Sequence, residues 1–161
     1  MSKNTGAFTS LANLLIWFNI AVGLFILFVI IPAYSADLPK WYKEFEGDGL
    51  LILLFPSLLA ISCIVALLAI SRLLKMIRVG GLHSSFAYKW VNILIGSSFA
   101  ASLACVFLFV WLAIESALPP EIAYGLIISI PATATVGLVT LALKSVLVDA
   151  TAAHQELDGL V

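Results

Sequence analysis

The residues of this chain that could do chemistry are few, and their spacing decides against it. Glu115 and Glu121 flank the segment "SALPP". Two carboxylates so close in sequence could share general acid and base work. They sit in a polar connection between apolar runs, where a solvated loop accounts for both. Cys63 and Cys105 each lie inside a long apolar run. A reactive thiol needs neighbours that favour the thiolate, and neither run supplies one. If both runs are membrane helices, the two residues differ in depth by roughly 8 Å at the helical rise. That is poor geometry for a disulfide, so they read as small packing residues. His83 and His154 have no Cys or second His at ligand spacing and read as solvated side chains rather than metal ligands. Nucleophile motifs, phosphate-cradling glycine loops and cofactor fingerprints do not occur. The expectation is a non-enzymatic protein with no cofactor and no metal.

What surrounds these residues is overwhelmingly apolar. The chain has 161 residues, 63% hydrophobic and 11% charged, with a mean hydropathy of +1.16. Soluble domains carry about 25% charged residues and must cover much of their surface with polar groups. The bilayer is the solvent that fits. A net charge of −1 gives no field that would draw the chain to nucleic acid directly.

A spanning helix needs about 20 predominantly apolar residues. Four charge-free windows meet that length: Asn4 to Ala36, with the span placed at 11–34, then 49–71, 90–114 and 122–143. In hydrocarbon the backbone must satisfy its own hydrogen bonds, so these windows are helices. "PAYSA" at 32–36 resembles a signal-peptidase site. The apolar run before it exceeds the usual 7 to 15 residues of a leader, and its basic region is only Lys3 and the amine, so the span is expected to be retained.

Lys and Arg near span ends collect on the cytoplasmic side. With the N-terminus inside, Lys3, Arg72, Lys75, Arg78, Lys89 and Lys144 fall inside, against Lys40 and Lys43 outside. Both termini are therefore expected in the cytoplasm, with loops 37–48 and 115–121 outside. The predicted fold is all-α: a polytopic membrane four-helix bundle of two hairpins, a single domain over 1–161, with cytoplasmic extensions of helices 2 and 4.

Those extensions carry the charge. After Ser71 the helical pattern continues through Arg72, Lys75 and Arg78, three apart on one broad face, until "GG" at 80–81 ends it. Ser84 or Ser85 can cap the next helix. The tail, 144–157, keeps helical spacing through Val146, Ala150, Ala153 and Leu157 and carries Asp149, Glu156 and Asp158. Asp149 reaches a depth similar to Arg78, so the tail is expected to pack beside the extension of helix 2. Arg72, Lys75, Arg78, Asp149 and Glu156 form the candidate face for a protein partner or for lipid. On the outside, Leu38, Trp41, Tyr42 and Phe45 at i, i+3, i+4 and i+7, with Asp37 as N-cap and Gly47 as stop, predict a short amphipathic helix in the headgroup region.

Inside the spans there is no ionisable group of the kind that pumps and ion-coupled carriers use. Asn19 is the strongest polar residue there, and an amide in lipid is expected to bond a neighbouring helix. Gly125, Ser129, Thr133 and Gly137 are four apart, and Gly96, Ala100 and Ala104 repeat the pattern in the third span. Small residues at that spacing predict close packing of spans three and four and leave self-association open. "GLLILLFP" at 49–56 and "GLIISIP" at 125–131 place Pro56 and Pro131 at matching depths. Interrupted spans at corresponding positions point to a binding site, whereas Ser129 or Thr133 could simply satisfy the freed carbonyls. Asn19, Pro56, Ser129, Pro131 and Thr133 are thus the candidate intramembrane site for a lipid or small molecule.

The order of "VIIP", "ADLP", "RLLKMIRVGGLHSSF" and a closing "ATAAHQELDGLV" resembles the bacterial four-span membrane proteins grouped as domain of unknown function 2975. "ELDGLV" and "SSFAYKWV" are its most specific parts. The resemblance implies an inner-membrane protein without an assigned activity. Some members resemble one half of a pair encoded beside a small helix-turn-helix regulator, which implies a regulatory or partner-binding role. It carries over no functional residue. Two functions remain on the page: action through a cytoplasmic partner, and a lipid or small-molecule pathway between the spans.

Overall fold

The computed structural model describes the backbone of residues 2–79, 85–114 and 120–158, and side chains within 10–43, 45–76, 87–114, 120, 122–145 and 148. Every element is helical. Helix α1, Ser2–Phe25, runs through a wide π-turn at Ile26–Ile30 into α2, Ile31–Trp41. A 3₁₀ turn at Lys43–Phe45 leads to α3, Gly49–Val79, then α4, Ser85–Ile114, and α5, Pro120–Asp158. Among the described residues four stretches are long and apolar enough to cross a membrane: Ser10–Trp41, Gly49–Met76, Ala87–Ile114 and Ile122–Ser145. Helix α5 is longer than its span requires. Its 39 residues extend about 58 Å at 1.5 Å per residue, against a hydrocarbon layer of about 30 Å.

The helices pack in chain order, α1 and α2 on α3, α3 on α4, and α4 on α5. Helix α4 is the central one. A third of its apolar window, 33%, is buried, against 11% in each of the other three. The outward faces carry large apolar side chains such as Leu14, Phe28, Ile114 and Ile128, which suits a hydrocarbon surround rather than water.

Close approach is made at two glycines. A Cβ on Gly23 would stand 3.0 Å from Ile64 of α3, and one on Gly137 would stand 3.3 Å from the Phe99 ring and 3.4 Å from Ser98 Cβ of α4. The expected packing of the third and fourth spans is present, but it uses Gly137. Gly96 and Gly125 face open space.

The outer segment differs from the expected amphipathic helix. The first span continues as helix through Pro39 to Trp41, so Asp37 lies mid-helix, paired with Lys40 at 2.7 Å rather than capping. The chain then turns inward: Phe45 is fully buried and Leu38 nearly so, whereas Trp41 is 81% exposed. Phe45 packs its ring 5.7 Å from Trp111, in one cluster with Leu38, Ile52, Cys105, Leu112 and Leu126. Helical spacing predicts a stripe on the membrane surface, but Leu38 and Phe45 insert between the helix ends instead. Gly47 follows with φ +116°, a left-handed turn that lets α3 start.

Gly137→Leu should therefore lower the detergent-denaturation midpoint of the purified protein by the equivalent of about 1–3 kcal/mol, through overpacking. Gly125→Ala should leave it unchanged or raised.

Candidate functional site

At the end of the molecule where α1 begins and α3 runs out, polar side chains tie the helices together. Ser71 Oγ donates to Asn13 Oδ1 at 2.9 Å, linking α3 to α1. Lys144 Nζ donates to Asn92 Oδ1 at 2.6 Å, linking α5 to α4. The Arg72 guanidinium lies over the Trp90 ring, 5.7 Å from its centroid, linking α3 to α4. Asn13 faces α3 because it continues the buried stripe of Ile16, Ile20 and Gly23, at spacings of three, four and three. Interhelical hydrogen bonds in lipid contribute about 0.6–2 kcal/mol each, and a cation over an aromatic face about 0.5–1 kcal/mol when exposed. Arg72 and Lys75 are themselves exposed.

The opposite end holds an apolar cavity of about 140 Å³, lined by Ile30, Ile31, Tyr34, Leu38, Ile52, Pro56, Leu108, Trp111, Leu112 and Ile122. Two helix irregularities border it. In the π-turn, Ile31 N–H reaches back to the Ile26 carbonyl, one residue further than in an α-helix, just ahead of Pro32. Pro56 lies inside α3. A shallower groove of about 320 Å³ lies at mid-bundle between α3, α4 and α5, lined by Ser62, Ser98, Ala101, Thr133 and others, and shares no lining residue with the first. Among the described residues no cluster of His, Cys, Asp and Glu could hold a metal, and Cys63 and Cys105 are both free.

This arrangement of four apolar helices coincides with one comparison. The model of the family described as protein of unknown function (DUF2975) matches residues 17–161. The chain belongs to the DUF2975 family. No curated protein and no solved structure matches it. The family match covers the cavity and, apart from Asn13, the polar end of this DUF2975 protein, and attaches no activity to either.

The residues singled out from the sequence are not gathered in one place. Pro56 borders the cavity and Thr133 the groove, while Pro131 is exposed. Thr133 Oγ1 donates to the Ser129 and Ile130 carbonyls of its own helix, at 2.7 and 3.1 Å. Ser102 of α4 also reaches the Ile130 carbonyl, at 3.4 Å. Asn19 differs from expectation. It is exposed, and its amide donates back to the Leu15 carbonyl at 2.8 Å, because it lies about 240° around the helix from Asn13 at 100° per residue. The side chains of Arg78, Asp149 and Glu156, with the expected Arg78–Asp149 pairing, lie outside the described residues. The reading of the sequence missed Asn13, Asn92, Tyr34 and Trp111.

Asn13→Leu should destabilise the DUF2975 protein by about 1 kcal/mol and cancel any effect of Ser71→Ala made on top of it, whereas Asn19→Leu should be neutral. A double-mutant cycle on reversible unfolding in micelles measures the coupling.

Proposed function

We propose that this DUF2975 protein is a non-enzymatic, multi-pass protein of the bacterial inner membrane, with both termini in the cytoplasm, that works by binding a protein partner there. The observation that carries the reading is the length of α5. The charge-free run of α5, 122–143, is followed by further helix as far as Asp158. That is about 20 Å of helix beyond the charge-free run, bearing Asp149, Glu156 and Asp158. Helix α3 likewise runs past its charge-free stretch, 49–71, to Val79, bringing Arg72, Lys75 and Arg78 to the same end. A membrane anchor alone needs no such projection. The cation count around the spans assigns this end to the cytoplasm.

The polar ties support the same reading. Asn92 holds Lys144, the first charge after the apolar run of α5, so the projecting helix leaves the bundle from a fixed point. A rigid base lowers the ordering cost of association. A transport pathway is less well supported, because the cavity and the mid-bundle groove have separate linings and no Asp, Glu, Lys, Arg or His lies in the middle of the spans.

Pull-down from the native membrane with the full chain should recover a stoichiometric partner. Deleting 149–161, or replacing Arg72, Lys75 and Arg78 together by Gln, should reduce its recovery at least tenfold, while Asn19→Leu retains it. Recovery unaffected by both changes contradicts the reading.

A further inference from the structure

The apolar cavity at the far end from the basic face has a chemistry of its own. We propose that it is a binding site for the hydrocarbon tail of a membrane amphiphile, held between Ile31, Ile52, Pro56, Leu108 and Ile122. This site is independent of the partner reading, since the two lie at opposite ends of the helices and share no residue.

The lining decides the class of ligand. It is almost wholly apolar carbon, from eight aliphatic side chains and from Tyr34 and Trp111. Ile31, Leu38, Ile52 and Leu112 are each under a tenth exposed, so they form a packed wall and not a loose surface. An apolar cavity excludes water, and about 150 Å³ accommodates a molecule the size of benzene. The 140 Å³ here thus takes a segment of about six carbons. Its solvent is hydrocarbon, so chains are the molecules at hand to fill it.

Access and depth narrow the ligand further. Ile30 and Tyr34 are on the lining and yet 46% and 52% exposed, so the cavity opens sideways, toward lipid chains. Ile122 is two residues inside the start of α5 and Leu108 six residues inside the end of α4. Those distances are about 3 and 9 Å along the helices, the level of the first carbons below a headgroup. An amphiphile seated there has its polar head beside exposed Trp41 and Lys43, at the depth where Trp and Tyr are favoured. The π-turn at Ile26–Ile30 and the proline in α3 border the cavity on its two facing helices.

The test uses the full chain with Trp111 as its single tryptophan (Trp17, Trp41 and Trp90 replaced by Phe), and a companion keeping only Trp17. Both are reconstituted in phosphatidylcholine bilayers containing increasing amounts of phospholipid brominated on the upper acyl carbons. A bound tail gives Trp111 quenching that saturates, with its midpoint at a brominated fraction at least threefold lower than for Trp17. Filling the cavity by Leu108→Phe or by Ile122→Phe, two variants on different helices, should raise the Trp111 midpoint at least threefold and leave helix content and Trp17 unchanged. Repeating the titration with brominated fatty acid separates a free single-chain amphiphile from a bilayer phospholipid as the source. Trp111 quenching that rises in proportion to bromine, for both amphiphiles and in all variants, overturns the proposal.

Discussion

The fold depends on a constraint set by its solvent. In hydrocarbon a polar group without a partner is costly, and helices gain no hydrophobic attraction for each other. The side chains obey the first half of this. Ser62, Ser98 and Thr140 each donate to the carbonyl four residues back in their own helix. Ser97 and Ser145 do so three residues back. No buried side-chain nitrogen or oxygen among the described residues lacks a partner. Such bonds satisfy polar groups but hold no two helices together. Association is left to a few cross-helix ties and to shape.

Those two means are divided between the ends of the molecule. One end has the Asn13–Ser71 and Asn92–Lys144 bonds and the Arg72–Trp90 stack. The other has the plug of Leu38 and Phe45 against Ile52, Trp111 and Leu112. Between them the helices meet through small residues, Gly23 against Ile64 and Gly137 against Phe99. The division bears on function. Polar ties give α5 a fixed point of departure, which suits a projecting helix that engages a partner. The apolar end is assembled by packing around a π-turn and two prolines, which leaves room for a hydrocarbon guest.

Much of the fold was legible because length and hydropathy alone identify a spanning helix. The close approach of the third and fourth spans at Gly137 followed from small-residue spacing. Neighbour identity was not legible in the same way. Asn13 and Asn19 are both amides in one apolar run, and hydropathy cannot tell them apart. The distinguishing signal is the phase of Ile16, Ile20 and Gly23, which puts Asn13 on the inner face. The spacing of Phe45 fits a membrane-surface residue equally well, because amphipathic spacing shows that a stripe is buried, not whether lipid or protein buries it. The π-turn left no mark beyond Pro32, which reads equally well as the end of a span.

The central claim is that the tied, charge-bearing end faces the cytoplasm. The most direct measurement is a pair of topology reporters, alkaline phosphatase and green fluorescent protein, each fused after Val161 and each inserted at Gly47. The account predicts fluorescence without phosphatase activity at Val161, and phosphatase activity without fluorescence at Gly47. The reverse pattern would place α5's projection outside the cell and contradict it.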